Sequence, residues 1–137
     1  MKIKTILVTT LVGAVCWLAP QTSRAQDIEN FAPVVVKTVP EAGTKDVAPG
    51  EFEIKITFSK PMADGSWSWA TAWENSTPDS IGEIHYEADH KTCVMKVKLV
   101  AGKTYGFWLN SQKFHNFQDT QHHPAIPYLL TFKVKDQ

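Results

Sequence analysis

Between residues 51 and 58 the chain alternates without a fault. Phe52, Ile54, Ile56 and Phe58 share one parity, and Glu51, Glu53, Lys55 and Thr57 share the other. A period of two with one apolar face is the signature of a half-buried strand, and Pro61 ends it. Residues 92–99 repeat the pattern, with Cys93, Met95, Val97 and Leu99 on the inward face and Val94, Lys96 and Lys98 expected outward. Residues 104–110 put Tyr105, Phe107 and Leu109 inward. Weaker strands are predicted over 33–39 (capped by Pro33 and Pro40, which suits an edge), 65–73, 81–87 and 128–134. Residues 26–32 read as a loose lead-in. Turn clusters lie at 41–50, 75–80, 88–91 and 101–103, and a long loop spans 111–127. No segment carries a convincing helical period.

The pattern predicts an all-β, two-sheet antiparallel β-sandwich of about seven strands, the count and spacing of an Ig-like domain. Phe52, Ile54, Ile56 and Phe58 should pack on Met95, Val97 and Leu99 and on Phe107 and Leu109. Tyr105 stands at the start of the penultimate strand, where a tyrosine corner returns its hydroxyl to the preceding connection. In residues 65–73, Trp67, Trp69 and Trp73 share a parity opposite small and polar residues, which predicts an inward stripe.

The first 25 residues read as a signal peptide. Lys2 and Lys4 precede an apolar run over 5–19 that is short for a membrane span, and Ser23-Arg24-Ala25 fits cleavage after Ala25. Residues 26–137 then form a single domain, secreted or periplasmic, with no membrane span in the mature chain. Loss of Lys2, Lys4 and Arg24 leaves 11 basic against 14 acidic residues, a net charge of −3. That balance excludes a basic nucleic-acid surface. Cys16 leaves with the signal peptide, so Cys93 has no intramolecular partner and its phase predicts burial.

Catalytic patterns are missing: there is no G-x-S-x-G elbow and no glycine-rich phosphate loop, so no enzyme and no cofactor are expected. Two groups of residues could carry a binding role. Trp108 is out of phase with Tyr105, Phe107 and Leu109 and points outward. With Asn110, Phe114, Asn116, Phe117 and Tyr128 it could line an aromatic and amide patch for a glycan or for another envelope protein. The other reading is that the long loop folds over Trp108 and buries it. In the same loop, Asp119, His122 and His123 combine a carboxylate with imidazoles, a donor set that suits Cu(II), Ni(II) or Zn(II), but adjacent His122 and His123 point apart on an extended chain, which favours solvated loop histidines.

Several stretches resemble a known family. Pro40-Glu41-Ala42-Gly43, Asp46-Val47 and Ile54-Lys55-Ile56-Thr57-Phe58-Ser59-Lys60-Pro61-Met62 resemble the bacterial Ig-like domain of S-layer and other cell-envelope proteins. Leu99-Val100-Ala101-Gly102-Lys103-Thr104-Tyr105 resembles its second landmark, and Asp119 with Leu129-Leu130-Thr131-Phe132 its end. Where that family usually carries Gly-Asn after the loop Asp, this chain has Gln121-His122-His123. The resemblance implies a non-catalytic module that spaces, displays or binds. The same landmarks are similar to periplasmic copper-binding proteins of the copper-resistance C type, whose loop Asp119 and His123-Pro124 resemble. That family's site also uses a His at the mature N-terminus, where this chain offers Gln26-Asp27.

Overall fold

The computed structural model describes residues 26–137, so the expected cleavage after Ala25 lies outside the described residues. Eight strands form two antiparallel sheets. They are β1 (Val35–Val39), β2 (Gly50–Phe58), β3 (Trp69–Thr71), β4 (Asp79–Ser80), β5 (His85–Tyr86), β6 (Thr92–Leu99), β7 (Thr104–Leu109) and β8 (Tyr128–Lys133). One sheet runs β1-β2-β6-β4, with β5 also on β6, and the other runs β3-β7-β8. This is the expected all-β, Ig-like sandwich. The count exceeds seven because the expected strand over 81–87 is replaced by two short strands, β4 and β5, that pair with β6 separately.

The alternation of β2 sets the core. Ile54, Ile56 and Phe58 are buried, Phe52 is half-buried, and β6 pairs with β2 in a register that sets Ile54 opposite Met95 and Phe52 opposite Val97. Tyr105, Phe107 and Leu109 of β7 and Leu130 and Phe132 of β8 close the core from the second sheet. Each such side chain contributes about 1.5–3 kcal/mol by leaving water. The tyrosine corner forms as expected: the Tyr105 hydroxyl, buried with its ring, accepts from the Val100 N–H at 3.0 Å. Cys93 is also fully buried, and burial, reinforced by the Asp64 charge, pushes its thiol up to about 12.

Two expectations fail here. Val94 is buried rather than exposed, because β6 is central in its sheet. Lys55 and His85 flank Val94 from the neighbouring strands, and their side chains cover the outer face at that point. The lead-in is not loose either. Residues Ile28–Asn30 form a 3-10 turn whose cap, Asp27, accepts from the Glu29 N–H, and the buried Lys60 ammonium donates to the Glu29 carbonyl at 2.9 Å.

Residues 43–47 cover the outer edge of β8. Gly43 N–H donates to Thr131 O, Lys133 N–H to Thr44 O and Val47 N–H to Lys133 O, and Val47 forms a parallel bridge with Val134. The turn residues thereby satisfy backbone groups that a bare edge would present to other chains.

Candidate functional site

Two residues assigned to the outward patch are in fact structural. Alternation would put Asn110 on the face of Trp108. However, β7 ends at Leu109, and Asn110 takes a left-handed φ of 57°, which breaks the phase. Its amide turns inward and is fully buried. Nδ2 donates to the carbonyls of Phe117 and Ala125 at 2.9 Å each, and Oδ1 accepts from the Phe117 N–H at 2.9 Å. Phe117 is therefore carried inside. Its ring lies 5.1 Å from Phe58 on one sheet and 5.7 Å from Trp69 on the other. It fills the end of the sandwich, a place that no periodicity marks because the residue belongs to a loop.

Trp108 behaves as expected. It is half-exposed on the outer face of β7, between Ala70 of β3 and Leu129 of β8. With Ser111, Gln112, Lys113 and Pro127 it lines a groove of about 470 Å³. The loop borders Trp108 without burying it. Phe114 and Asn116 are exposed in the same loop but line a smaller neighbouring groove of about 200 Å³, with Trp67 and Ala70. Tyr128 does not join the patch. It shares the parity of Leu130 and Phe132, and it faces β1 on the opposite side of the sheet from Trp108.

The tryptophan stripe also divides. Trp69 packs edge-on against Phe107 at 5.3 Å, and Trp67 is half-buried against the core. Trp73 leaves the expected inward face because β3 is only three residues long. The buried Ser76 hydroxyl accepts from the Ala72 and Trp73 N–H groups at 3.0 and 3.1 Å, which turns the chain. Trp73 then lies on the outer face, 44% exposed, over Gly106. A Cβ at position 106 would fall 2.3 Å from Trp73 Cη2 and Cζ3, so glycine is what admits the ring. A glycine inside a strand signals such a close approach; Gly106, between Tyr105 and Phe107, is the mark from which Trp73 could have been placed.

The second constellation is a buried ionic knot. Asp119, 2% exposed, accepts at Oδ2 from Lys60 Nζ at 2.6 Å and from His123 Nδ1 at 3.0 Å. Its Oδ1 accepts from the N–H groups of Gln121 and His123 at 2.9 Å each. Burial would raise this carboxyl, but Lys60 and the His123 and Gln121 donors outweigh it and hold it well below the usual carboxylate range. The lone pairs a metal would need are thus committed to Lys60 and to the turn. His122, exposed with φ 67°, contributes its backbone N–H to Asp119 O. Among the described residues no three His, Cys, Asp or Glu side chains gather in a ligating cluster, and Asp119, His122 and His123 do not assemble as a donor set.

The knot gives the sequence landmarks a physical reason. Lys60 comes from Ser59-Lys60-Pro61-Met62 at the end of β2 and Asp119 from the distant loop, and Met62 bridges to Asp119 across the same junction. Two packed antiparallel sheets, a tyrosine corner and a loop locked onto the end of β2 define an Ig-like module. A profile of the bacterial Ig-like domain matches residues 29–134, and the chain belongs to that family, whose members are generally non-enzymatic. No curated protein matches the sequence. No helix among the described residues is long and apolar enough to cross a membrane.

Proposed function

We propose that this chain is an exported, non-catalytic Ig-like module that binds a cell-envelope partner, a glycan or another protein, through the groove at Trp108. The supporting observation is that Trp108 is spared by the core. Phe107, Leu109, Phe117 and Trp69 fill the interior without it, while its ring stands beside Ser111, Gln112 and Lys113 in a groove of about 470 Å³. An indole beside amide, hydroxyl and ammonium groups can stack and hydrogen-bond one ligand. Long loops of this kind commonly carry function.

Trp108→Ala tests the groove on an array of immobilised envelope glycans and proteins. The expected result is a loss of about tenfold or more in affinity for whatever the unaltered chain retains, with little change in melting temperature. Undiminished retention would remove the groove from the account. Export is checked separately by the intact mass of the chain recovered outside the cytoplasm, which is expected to begin at Gln26. A mass that still includes residues 1–25 would overturn the cleavage.

A further inference from the structure

We infer that the outer face of the β3-β7-β8 sheet is a track for an acidic polysaccharide, with sugar rings stacked on Trp73 and Trp108 and carboxylates drawn to Lys113 and Lys133. This inference rests on the reading of Trp108 as a contact surface and adds a ligand class to it.

The register lays the track out. On the outward parity, Thr104 pairs with Lys133, Gly106 with Thr131 and Trp108 with Leu129. Successive positions on one face lie about 6.8 Å apart along a strand. Trp73, seated over Gly106, and Trp108 therefore occupy adjacent positions on one line. Each leaves indole surface in solvent. At one end of the line is the groove of about 470 Å³ with Gln112 and Lys113. At the other end a groove of about 360 Å³ is lined by Thr104, Thr131, Lys45 and Lys133. An elongated ligand lying across the sheet would meet a cation, two indoles and a second cation.

Charge selects among elongated ligands. Lys113 and Lys45 make no ion pair among the described residues, and Lys113 Nζ instead lies 5.3 Å from the Phe114 ring. Lys133 faces only Asp136, at 3.7 Å with both side chains well exposed, a contact worth little in water. On the other sheet Lys55 pairs with Glu87 at 2.5 Å and Lys96 with Glu51 at 2.7 Å, while Lys37 and Lys98 make no ion pair among the described residues but have no exposed tryptophan beside them on their strands. Lys113 at one end and Lys45 and Lys133 at the other thus put cations at both ends of the tryptophan line. Pyranose rings offer apolar C–H faces to indoles, and their hydroxyls suit Thr104, Thr131 and Gln112.

Affinity electrophoresis of the purified exported chain tests this, in gels containing sodium polygalacturonate, sodium alginate or methyl-esterified polygalacturonate. The expected result is retardation by at least one acidic polymer, several-fold stronger than by the ester and weakened by salt. Trp73→Ala and Trp108→Ala should each reduce it about tenfold, and Lys113→Ala/Lys133→Ala should reduce it in the acidic gels alone. Gly106→Ala, which must displace the Trp73 ring, should reproduce the Trp73→Ala loss. Thermal melts of each variant separate loss of binding from loss of fold. Equal retardation by acid and ester overturns the charge assignment and leaves the Trp108 surface standing. Retardation by neither acidic polymer, tighter binding of oligo(dT), or variants that melt like the parent and migrate like it overturns the track itself.

Discussion

Asn110→Ala should be among the most destabilising single substitutions in the domain, at about 3–5 kcal/mol. The side chain is fully buried and makes three hydrogen bonds, each 2.9 Å, to backbone groups of Phe117 and Ala125. Alanine leaves the Phe117 N–H and the Ala125 carbonyl without a partner inside the fold, at about 1–3 kcal/mol per unsatisfied group, while the Phe117 carbonyl keeps its bond from the Ala125 N–H. It also places an ordinary residue at φ 57°, which asparagine tolerates better. For a domain of this size the loss corresponds to roughly 12–20 °C in melting temperature. Asn110→Gly separates the two causes: it relieves the backbone cost and should recover about 1 kcal/mol, not more. A melt of Asn110→Ala within about 3 °C of the parent would show that the loop holds Phe117 without this amide.

Asp119→Asn should cost a similar amount, about 3–5 kcal/mol at neutral pH, because it leaves the buried Lys60 ammonium without its counter-charge. The parent should also carry an acid-sensitive increment of stability from this carboxyl. Its folded value lies below its unfolded one, so the contribution is complete above the unfolded value of about 3.9 and is lost as pH falls below it. Urea midpoints at pH 7 and pH 3 provide the measurement. The gap between parent and variant should be widest at pH 7 and measurably smaller at pH 3, where the unfolded carboxyl is largely protonated while the folded one is still ionised. Equal gaps at the two pH values would mean that the Asp119 charge contributes nothing specific to the fold.

Both residues lie in, or next to, the loop that the sequence marks as functional, and both turn out to be structural. The difference lies in what alternation can report. It assigns a face only while the strand continues and only one neighbour deep. It therefore placed Ile54, Ile56, Phe58, Tyr105, Phe107 and Cys93 inward and Trp108 outward. It failed at Asn110, where a left-handed residue ends β7, and at Trp73, where Ser76 turns the chain after a three-residue strand. It failed at Val94 because exposure on an outer face depends on the strands alongside, which the local pattern does not contain. Phe117 was beyond its reach altogether, since a loop residue inserted between two sheets has no period. Of the expected outward patch, Trp108 keeps its groove. Asn110 and Phe117 hold the loop in place, Phe114 and Asn116 border a separate groove, and Tyr128 lies on the other side of the sheet.

The cover that residues 43–47 form on β8 has a mechanical meaning. Val47 and Val134 run parallel, with Val47 N–H donating to Lys133 O and Lys135 N–H to Val47 O. Val47 lies on the amino-terminal side of the sandwich's central strands, and Val134 lies near the carboxyl end. Once β1 has been drawn off β2, a pull between the two ends of the domain reaches this pair as shear along the strands, so the bonds are loaded together rather than opened one at a time. In this Ig-like module, the turn that shields an edge is also a clasp placed across the line of tension.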